Sequence, residues 1–348
     1  MTQRPRQHPQ TPGLLRGMTD LRGRYGPYHP ADGLVDAADA ARLLGRPLLL
    51  TGAPGCGKTD FAWVLAKALS RDPEATPLEC HIHSGTTARE LLYHYDALLR
   101  FGDSQHGNDS EREDARDPRR YIELRPLGVA LMSPERQVLL IDEIDKAPRD
   151  LPNDLLRELD AGEFEIAEVP TRVDRDDDPA YDQRTDIRLR RHMRPQAADS
   201  PGAIHPIVVI TSNVERQLPD AFLRRCVFYH IEFPDHDSLR TIVSERVGIG
   251  PRDSFLDDVL ALFAEARKVT DLSKPPGTAE LLDWVTVLSG GLYEDDHVGA
   301  IIAEAKAAIA GPGQLGRGWR WSKLPGAGCL FKLSEDQRRA DRLCAGAG

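Results

Sequence analysis

The fold of this chain is decided by residues 52–59, which read Gly52-Ala53-Pro54-Gly55-Cys56-Gly57-Lys58-Thr59. This stretch fits the pattern of a phosphate-binding loop, in which a glycine and four further residues precede Gly-Lys and a serine or threonine. The apolar run 47–51 before it predicts a buried parallel strand, and the helical spacing of apolar residues over 61–69 predicts a helix after it. Strand, glycine-rich turn and helix form the context in which this pattern binds phosphate.

Each part of the loop has an expected role in binding a nucleotide with Mg²⁺. The backbone N–H groups of 52–57 and the positive end of the following helix would surround a β-phosphate, and glycine allows the backbone angles and close approach that this requires. Lys58 is expected to reach the β- and γ-phosphates, and the hydroxyl of Thr59 is expected to ligate Mg²⁺. Asp60, the next residue, completes the predicted nucleotide-binding set.

A second motif lies at residues 138–146, which read Val138-Leu139-Leu140-Ile141-Asp142-Glu143-Ile144-Asp145-Lys146. An apolar run that ends in two carboxylates predicts a buried strand with acids at its carboxyl end, the edge where parallel sheets bind ligands. Asp142 is predicted to bind the nucleotide by holding Mg²⁺ through water, alongside Thr59. Glu143 is predicted to polarise an attacking water. A kinase does not need this second acid, so the pair indicates ATP hydrolysis.

Two further stretches supply candidate catalytic residues. A third apolar run, 207–211, is followed by Asn213, whose amide is predicted to orient the attacking water or to contact the γ-phosphate. The stretch 218–226 predicts a short helix with Arg224 and Arg225 at its end. Arginines at that end complement the helix dipole, and the functional alternative is an arginine finger offered to the γ-phosphate of a neighbouring subunit.

Together these motifs resemble the AAA+ ATPases and, within them, the MoxR-like ATPases. The resemblance runs from about Leu34 to about Gly290 and is carried by 46–55, 86–93, 142–147, 211–213 and 218–226. It implies a P-loop NTPase αβα sandwich with a five-stranded parallel sheet, followed by a small all-α lid domain. It also implies hydrolysis of Mg-ATP by homo-oligomeric rings, usually hexamers, that remodel protein partners, often proteins with von Willebrand A domains. In the match, Arg225 aligns with the arginine finger and Arg224 is an additional helper.

The chain departs from the family pattern in two places. Many AAA+ proteins carry a second sensor, an arginine at the start of a lid helix, but the corresponding stretch 273–282 contains no arginine and only Lys274 is a candidate. An exposed loop lysine is the alternative reading of that residue. The second departure is a polar insertion over about 171–206, which holds four aspartates over 174–178 and then five arginines over 184–194.

Composition and periodicity divide the chain into four parts. Residues 1–30 are rich in Pro, Gly, Arg and Gln, which predicts a flexible N-terminal segment. We expect the P-loop core over 31–234, with insertions at about 102–120 and 171–206. Helical periodicity predicts a lid domain over 235–310, with helices near 236–247, 254–268, 278–289 and 297–310. Residues 311–348 form a C-terminal extension, which we expect either to dock flexibly or to pack loosely.

The overall composition limits the possible partners. The formal net charge of −10 argues against sequence-independent nucleic-acid binding, which requires a basic surface. The five scattered cysteines show neither zinc-ligand spacing nor a disulfide framework, which favours a reducing cytoplasm. No apolar run approaches the length of a transmembrane helix, so we expect no membrane partner.

The leading interpretation is a cytoplasmic AAA+ ATPase that remodels a protein partner as a ring. One alternative is a nucleic-acid motor or clamp-loader-like subunit, because the stretch 222–226 also resembles clamp-loader subunits. Another is a non-hydrolysing nucleotide-dependent scaffold, which the intact pair of Asp142 and Glu143 disfavours. The sequence does not identify the partner, the pathway or the ring size.

Overall fold

The computed structural model describes residues 21–70, 72–171, 180–194, 205–213, 215–250, 254–269, 272–292, 295–309 and 319–345. Within these ranges the chain forms two compact units. The first unit comprises Asp32–Thr51 and Lys58–His230, and the second comprises Asp20–Ala31, Gly52–Gly57 and Ile231–Gly348. The expectations for 1–20, for the aspartates of 174–178 and for 310–318 lie outside the described residues.

A five-stranded parallel sheet forms the centre of the first unit. Its strands are β1 Leu48–Gly52, β2 Leu78–His81, β3 Val138–Asp142, β4 Ile207–Ser212 and β5 Val227–Ile231. They lie side by side in the order β5-β1-β4-β3-β2. The apolar runs of β1, β3 and β4 are buried, as expected for parallel strands that are covered on both faces.

Strand register brings the predicted motifs to one edge of the sheet. Ile210 of β4 is paired with Ile141 of β3, and Ser212 of β4 is paired with Thr51 of β1. The carboxyl ends of these three strands therefore lie level with one another. This arrangement places the second and third motifs beside the start of the helix that follows the loop.

Helices flank the sheet and confirm the predicted αβα sandwich. They are α1 Leu34–Leu44, α2 Lys58–Leu69, α3 Ala88–Leu92, α4 Ala97–His106, α5 Asp109–Asp114, α6 Pro126–Met132, α7 Leu151–Ala161 and α8 Asp220–Leu223. The apolar face of α2, which includes Phe61 and Leu65, is fully buried, as its helical spacing predicts.

The stretch 86–120 differs from the sequence-based expectation. The spacing of apolar residues predicts a helix over about 86–100, but a short strand, Tyr93–Tyr95, divides it into α3 and α4 and is paired with Ile122–Leu124. The charged, apolar-poor stretch 102–120 predicts a loop, but it contains the end of α4 and all of α5, whose first turn is capped by Asn108. A charged segment with few apolar residues can therefore still be helical, because capping side chains stabilise the ends of short helices.

The insertion after α7 contributes short antiparallel strands. Phe164–Glu165, which the alternating pattern predicts as a strand, is paired with His192–Met193. A second ladder pairs Ala180–Tyr181 with Arg188–Leu189. Three of the five arginines in 184–194 form ion pairs inside this unit, Arg184 with Glu123, Arg191 with Glu165, and Arg194 with Glu163. These arginines are thus neutralised locally.

The second unit is helical, as predicted for a lid domain. Its helices are α9 His236–Val247, α10 Ser254–Lys268, α11 Thr278–Ser289, α12 Asp295–Ile309, α13 Ala327–Leu330 and α14 Ser334–Ala345. Its core contains Trp284 and Phe263, together with Trp321 and Phe331 from the C-terminal extension. A short ladder of Arg22–Gly23 with Gly26–Pro27 also belongs to this unit, within a segment for which composition predicts flexibility. Among the described residues, no helix has the length and apolarity needed to cross a membrane.

Candidate nucleotide-binding and hydrolysis site

The glycine-rich loop connects β1 to α2, and its backbone requires glycine. Gly52, Gly55 and Gly57 have φ values of +149°, +77° and +93°, which residues with a Cβ rarely adopt. At Gly52 a Cβ would also lie 2.4 Å from the carbonyl oxygen of Ile231. The glycines of the motif therefore stand at positions where the backbone conformation of the loop requires glycine.

Lys58 and Thr59 open α2 directly after the loop. The side chain of Lys58 is buried, and the hydroxyl of Thr59 donates to Oδ1 of Asp142 at 2.9 Å. Asp60 is partly buried in the first turn of α2, where a carboxylate interacts favourably with the positive end of the helix dipole. The structure thus brings the two predicted Mg²⁺ ligands, Thr59 and Asp142, into direct contact.

Thr211 connects the second and third motifs, a role that the sequence analysis did not assign. Its buried hydroxyl donates to Oδ1 of Asp142 at 2.6 Å and accepts the backbone N–H of Glu143 at 2.9 Å. One hydroxyl therefore fixes Asp142 and the backbone of Glu143 together. The position of Thr211 at the carboxyl end of a buried strand, two residues before Asn213, was the available signal.

Glu143 adopts a left-handed backbone conformation, with φ 57° and ψ 51°. Such a conformation is uncommon for a residue other than glycine and costs free energy, and such strain is concentrated at functional sites. Nδ2 of Asn213 donates to Oε1 of Glu143 at 3.2 Å, and Nζ of Lys146 lies 2.5 Å from Oε2. The pKa of Lys146 is raised, chiefly by this hydrogen bond to the carboxylate. The structure therefore brings the predicted catalytic pair, Glu143 and Asn213, into contact.

Asp145 holds the chain beyond β4 in place. Its buried carboxylate accepts the backbone N–H of Asn213 at 3.2 Å and the backbone N–H of Glu215 at 3.0 Å. These bonds orient the backbone that carries Asn213 toward Glu143. This role of Asp145 is not evident from the sequence, because its partners are about 70 residues away along the chain.

The two predicted finger arginines lie elsewhere on the first unit. Arg224 and Arg225 follow α8 and are both exposed, and Nε of Arg225 lies 3.0 Å from Oδ2 of Asp160 at the end of α7. Among the described residues, neither arginine contacts Thr59, Asp142 or Glu143. A finger that acts on a neighbouring subunit is expected to make no bond to the cluster of its own chain, and an arginine that complements the dipole of α8 is expected at this end of the helix.

Within the second unit, the start of α11 lies beside residues 52–57 of the loop. Gly277, the residue before α11, lies close to Pro54. A Cβ on Gly277 would be 2.6 Å from the carbonyl oxygen of Pro54. Lys274, the candidate second sensor, has an exposed side chain, and its backbone N–H is bound to Asp336. A Cβ on Gly55 would lie 3.3 Å from the backbone nitrogen of Ala279 and 3.4 Å from that of Thr278, so these two residues lie against the loop.

These residues fit a nucleotide with Mg²⁺. Hydroxyl and carboxylate oxygens, which Mg²⁺ prefers, converge at Thr59 and Asp142, and the buried ammonium of Lys58 lies directly after a loop with three left-handed glycines. The cluster thus contains candidate groups for binding phosphate, for binding Mg²⁺ and for activating water. Hydrogen bonds connect the last two, from Thr59 through Asp142 and Thr211 to the backbone of Glu143.

A comparison with protein-family models supports this assignment of the fold. The family model described as AAA domain (dynein-related subfamily) matches residues 47–226, just over half of the chain. A structure from work on katanin self-assembly is 14% identical, covers 86% of this chain and 77% of its own, and has a TM-score of 0.33. The structure of PCH-2 from C. elegans is 16% identical, covers 80% and 70% respectively, and has a TM-score of 0.40. No curated protein matches the sequence.

Proposed function

Because this chain belongs to the family of AAA domains of the dynein-related subfamily, we propose that it binds and hydrolyses ATP with Mg²⁺ and that it is a MoxR-like member of the AAA+ ATPases. The observation that carries this proposal is the network in which Thr59 and Thr211 both donate to Oδ1 of Asp142 while Thr211 fixes the backbone of Glu143. A chain that only bound nucleotide would not need the second, hydrogen-bonded carboxylate.

The mechanism assigns one task to each group of the cluster. The loop backbone and Lys58 bind the phosphates, and Mg²⁺, when held by Thr59 and Asp142, neutralises the charge that develops on them. Glu143 accepts a proton from the attacking water, and Asn213 holds the carboxylate in position through Oε1. For this step, Oε2 must separate from Lys146 so that the carboxylate can reach the water.

The arginines support a site that is completed by a second copy of the chain. Arg225 is exposed and is paired with the half-exposed carboxylate of Asp160, so its release from that pair costs little free energy. We assign to Arg225, with help from Arg224, the stabilisation of the γ-phosphate of a neighbouring subunit. This role requires a homo-oligomer, and the resemblance to MoxR-like ATPases favours a ring, usually a hexamer.

The partner that fits this assembly is a protein, for which the same resemblance suggests one with a von Willebrand A domain. Net charge −10 and the local pairing of three arginines in 184–194 oppose the nucleic-acid alternative. The four cysteines whose side chains are described are free thiols, which supports a reducing, cytoplasmic location.

Turnover and nucleotide binding by the purified chain test this proposal. We expect Mg²⁺-dependent release of phosphate from ATP, no release from Glu143→Gln although it binds ATP, and weak binding by Lys58→Ala. Absence of ATP binding at millimolar concentration, or equal binding by Lys58→Ala, would contradict the whole assignment. A Glu143→Gln chain that binds ATP without turning it over is also the bait with which to isolate the protein partner.

A further inference from the structure

Helix α4 of the first unit carries large apolar side chains that are exposed. Leu98 and Phe101 are 85% and 64% exposed, and Leu99 between them is exposed as well. The helix lies wholly within the described residues, and none of its ten residues is buried. Surface helices normally turn their apolar residues toward the core, and exposed groups of large apolar residues mark interaction sites. The exposed side of α4 is therefore a candidate binding surface.

Polar groups hold the inward side of α4 against the rest of the unit. Arg100 donates from Nη1 to the hydroxyl of Tyr95 at 2.8 Å and from Nε to the carbonyl oxygen of Ala115 at 2.8 Å. Asp103, three residues later, accepts a hydrogen bond from the hydroxyl of the buried Tyr121 at 2.8 Å. Residues three apart lie on the same side of a helix, so Arg100 and Asp103 mark the inward side. The usual distribution is thus reversed, with the polar side facing inward and the apolar side facing solvent.

The outward side of α4 has the spacing of a surface that packs against another helix. Its positions i, i+3, i+4 and i+7 are Leu98, Phe101, Gly102 and Gln105, which lie along one side of the helix. A Cβ on Gly102 would meet no atom of the described residues within 4 Å, so packing within the unit does not require glycine there. Glycine in the interior of a helix is destabilising relative to alanine. Its absence of a side chain instead allows a second helix to approach closely.

Carboxylates border this surface. Helix α5, which contacts α4, contains four carboxylates and one arginine over 109–114. Glu113 and Asp114 are each paired with an arginine. The other two, Asp109 and Glu111, are exposed and form no ion pair within the part of the chain that the structure describes. A partner with positively charged side chains beside its apolar ones would complement these carboxylates and the net charge of −10.

We propose that α4 binds a basic amphipathic helix of a protein partner, with Leu98 and Phe101 as apolar anchors and the carboxylates of α5 facing its lysines or arginines. This inference rests on the proposed function, because it describes the chemistry of the partner in that function. A second copy of the chain fits less well, since a symmetric contact would bring the carboxylates of two α5 helices together. Three apolar side chains are also far fewer than the about 20–30 residues on each side of a stable interface.

Binding of a synthetic helix to the full-length protein tests this inference. The probe is a peptide of about 18 residues, or about five helical turns, with leucines along one side and lysines on the other. Its control has glutamate in place of each lysine. Equilibrium binding of both peptides is measured for the wild type, for Leu98→Ser/Phe101→Ser, and for the matched control Leu43→Ser/Leu44→Ser, whose leucines are similarly exposed at the end of α1.

We expect the wild type to bind the lysine peptide at least about tenfold more tightly than the glutamate peptide. Leu98→Ser/Phe101→Ser should bind the lysine peptide at least about tenfold more weakly than the wild type, because two apolar anchors are lost, and the matched control should stay within about twofold. Equal binding by Leu98→Ser/Phe101→Ser and the wild type overturns the inference. Failure of the wild type to bind the lysine peptide also overturns it, and loss of the wild-type oligomer in Leu98→Ser/Phe101→Ser would then assign the surface to a contact between copies of the chain.

Gly102→Arg is a second variant that separates binding from folding. It keeps both apolar anchors and places a long cationic side chain in the open space beside them. Arginine is a better helix former than glycine, so the melting temperature should stay unchanged or rise while binding of the lysine peptide falls at least about tenfold. Wild-type binding by folded Gly102→Arg overturns the inference, and this variant decides the matter if Leu98→Ser/Phe101→Ser does not fold.

Phosphate release from ATP, measured on the same proteins, distinguishes this inference from the proposed function. The proposed catalytic cluster includes no residue of α4, so both variants should hydrolyse ATP at the wild-type rate. Specific peptide binding by a wild type that does not hydrolyse ATP would contradict the proposed function and leave the binding surface on α4 intact.

Discussion

Nζ of Lys146 lies 2.5 Å from Oε2 of Glu143, three residues earlier, while Nδ2 of Asn213 donates to Oε1 of the same carboxylate. Both oxygens of the proposed general base are therefore bound by neighbouring side chains. The ammonium group of Lys146 therefore occupies the oxygen that a water molecule would need to reach. The pair accordingly restrains the group that must activate water.

Lys146→Met is expected to increase the basal rate of ATP hydrolysis. The pair is partly exposed, so its contribution is small and the expected increase is about two- to fivefold. Steady-state phosphate release measures this change, and Lys146→Arg is the control that keeps the positive charge. A decrease in rate would instead show that Lys146 holds the carboxylate in its productive position.

Thr211→Val is expected to impair both folding stability and turnover. The hydroxyl of Thr211 binds Asp142 and the N–H of Glu143, so its loss leaves that N–H without its acceptor and removes one of the two hydroxyl hydrogen bonds to Oδ1 of Asp142. The expected loss is about 1–3 kcal/mol in the free energy of unfolding. Thermal unfolding and phosphate release measure the two effects, and Thr211→Ser should restore both. Full activity in the valine variant would remove Thr211 from the site.

Arg225→Ala is expected to lower turnover about a thousandfold, the scale for an arginine finger, while nucleotide binding stays close to that of the wild type. If Arg225 acts on a neighbouring subunit, mixing Arg225→Ala chains with Glu143→Gln chains should restore part of the activity. Interfaces then form in which one chain supplies Glu143 and the other supplies Arg225.

The control for this experiment is Asp160→Asn, which removes the partner of Arg225 and should leave turnover nearly unchanged. Mixtures that are no more active than either inactive variant alone would indicate that Arg225 acts within its own chain or through folding. Measurement over a range of protein concentrations shows whether activity requires assembly.

Asp336→Asn is expected to destabilise the second unit at neutral pH and to reduce its sensitivity to acid. The pKa of Asp336 is lowered, first by the hydrogen bond from the backbone N–H of Ser273, so the stability it contributes is present above the unfolded pKa of about 3.9 and is lost as pH falls through the folded value. Melting temperatures between pH 7 and pH 3 should converge for the two proteins in acid. Asp237→Asn, at a fully exposed carboxylate, should change little.

Local patterns were sufficient to predict the main elements of the fold. The loop with its flanking strand and helix, and the four lid helices near 236–247, 254–268, 278–289 and 297–310, depend on residues close together in sequence. The same applies to the contact between Thr59 and Asp142, because parallel strands bring their carboxyl ends to one edge.

Features that depend on distant contacts were not predicted. The strand Tyr93–Tyr95 interrupts an expected helix because it finds a partner in Ile122–Leu124, and the hydroxyl of Tyr93 is bound by Glu168. The roles of Thr211 and Asp145 arise from hydrogen bonds across about 70 residues. Periodicity and spacing do not indicate such bonds, because threonine and aspartate also occur after strands as turn residues that bond to their own backbone.

Removal of the C-terminal extension would disrupt the core of the second unit. Trp321 and Leu330 complete the core around Trp284, whose indole N–H donates to the carbonyl of Pro325 at 2.8 Å. A truncation that ends at residue 310 would expose Trp284 to water and remove the hydrogen-bond acceptor of its indole N–H. Such a fragment should aggregate during purification, whereas a fragment that retains residues up to 345 should not aggregate.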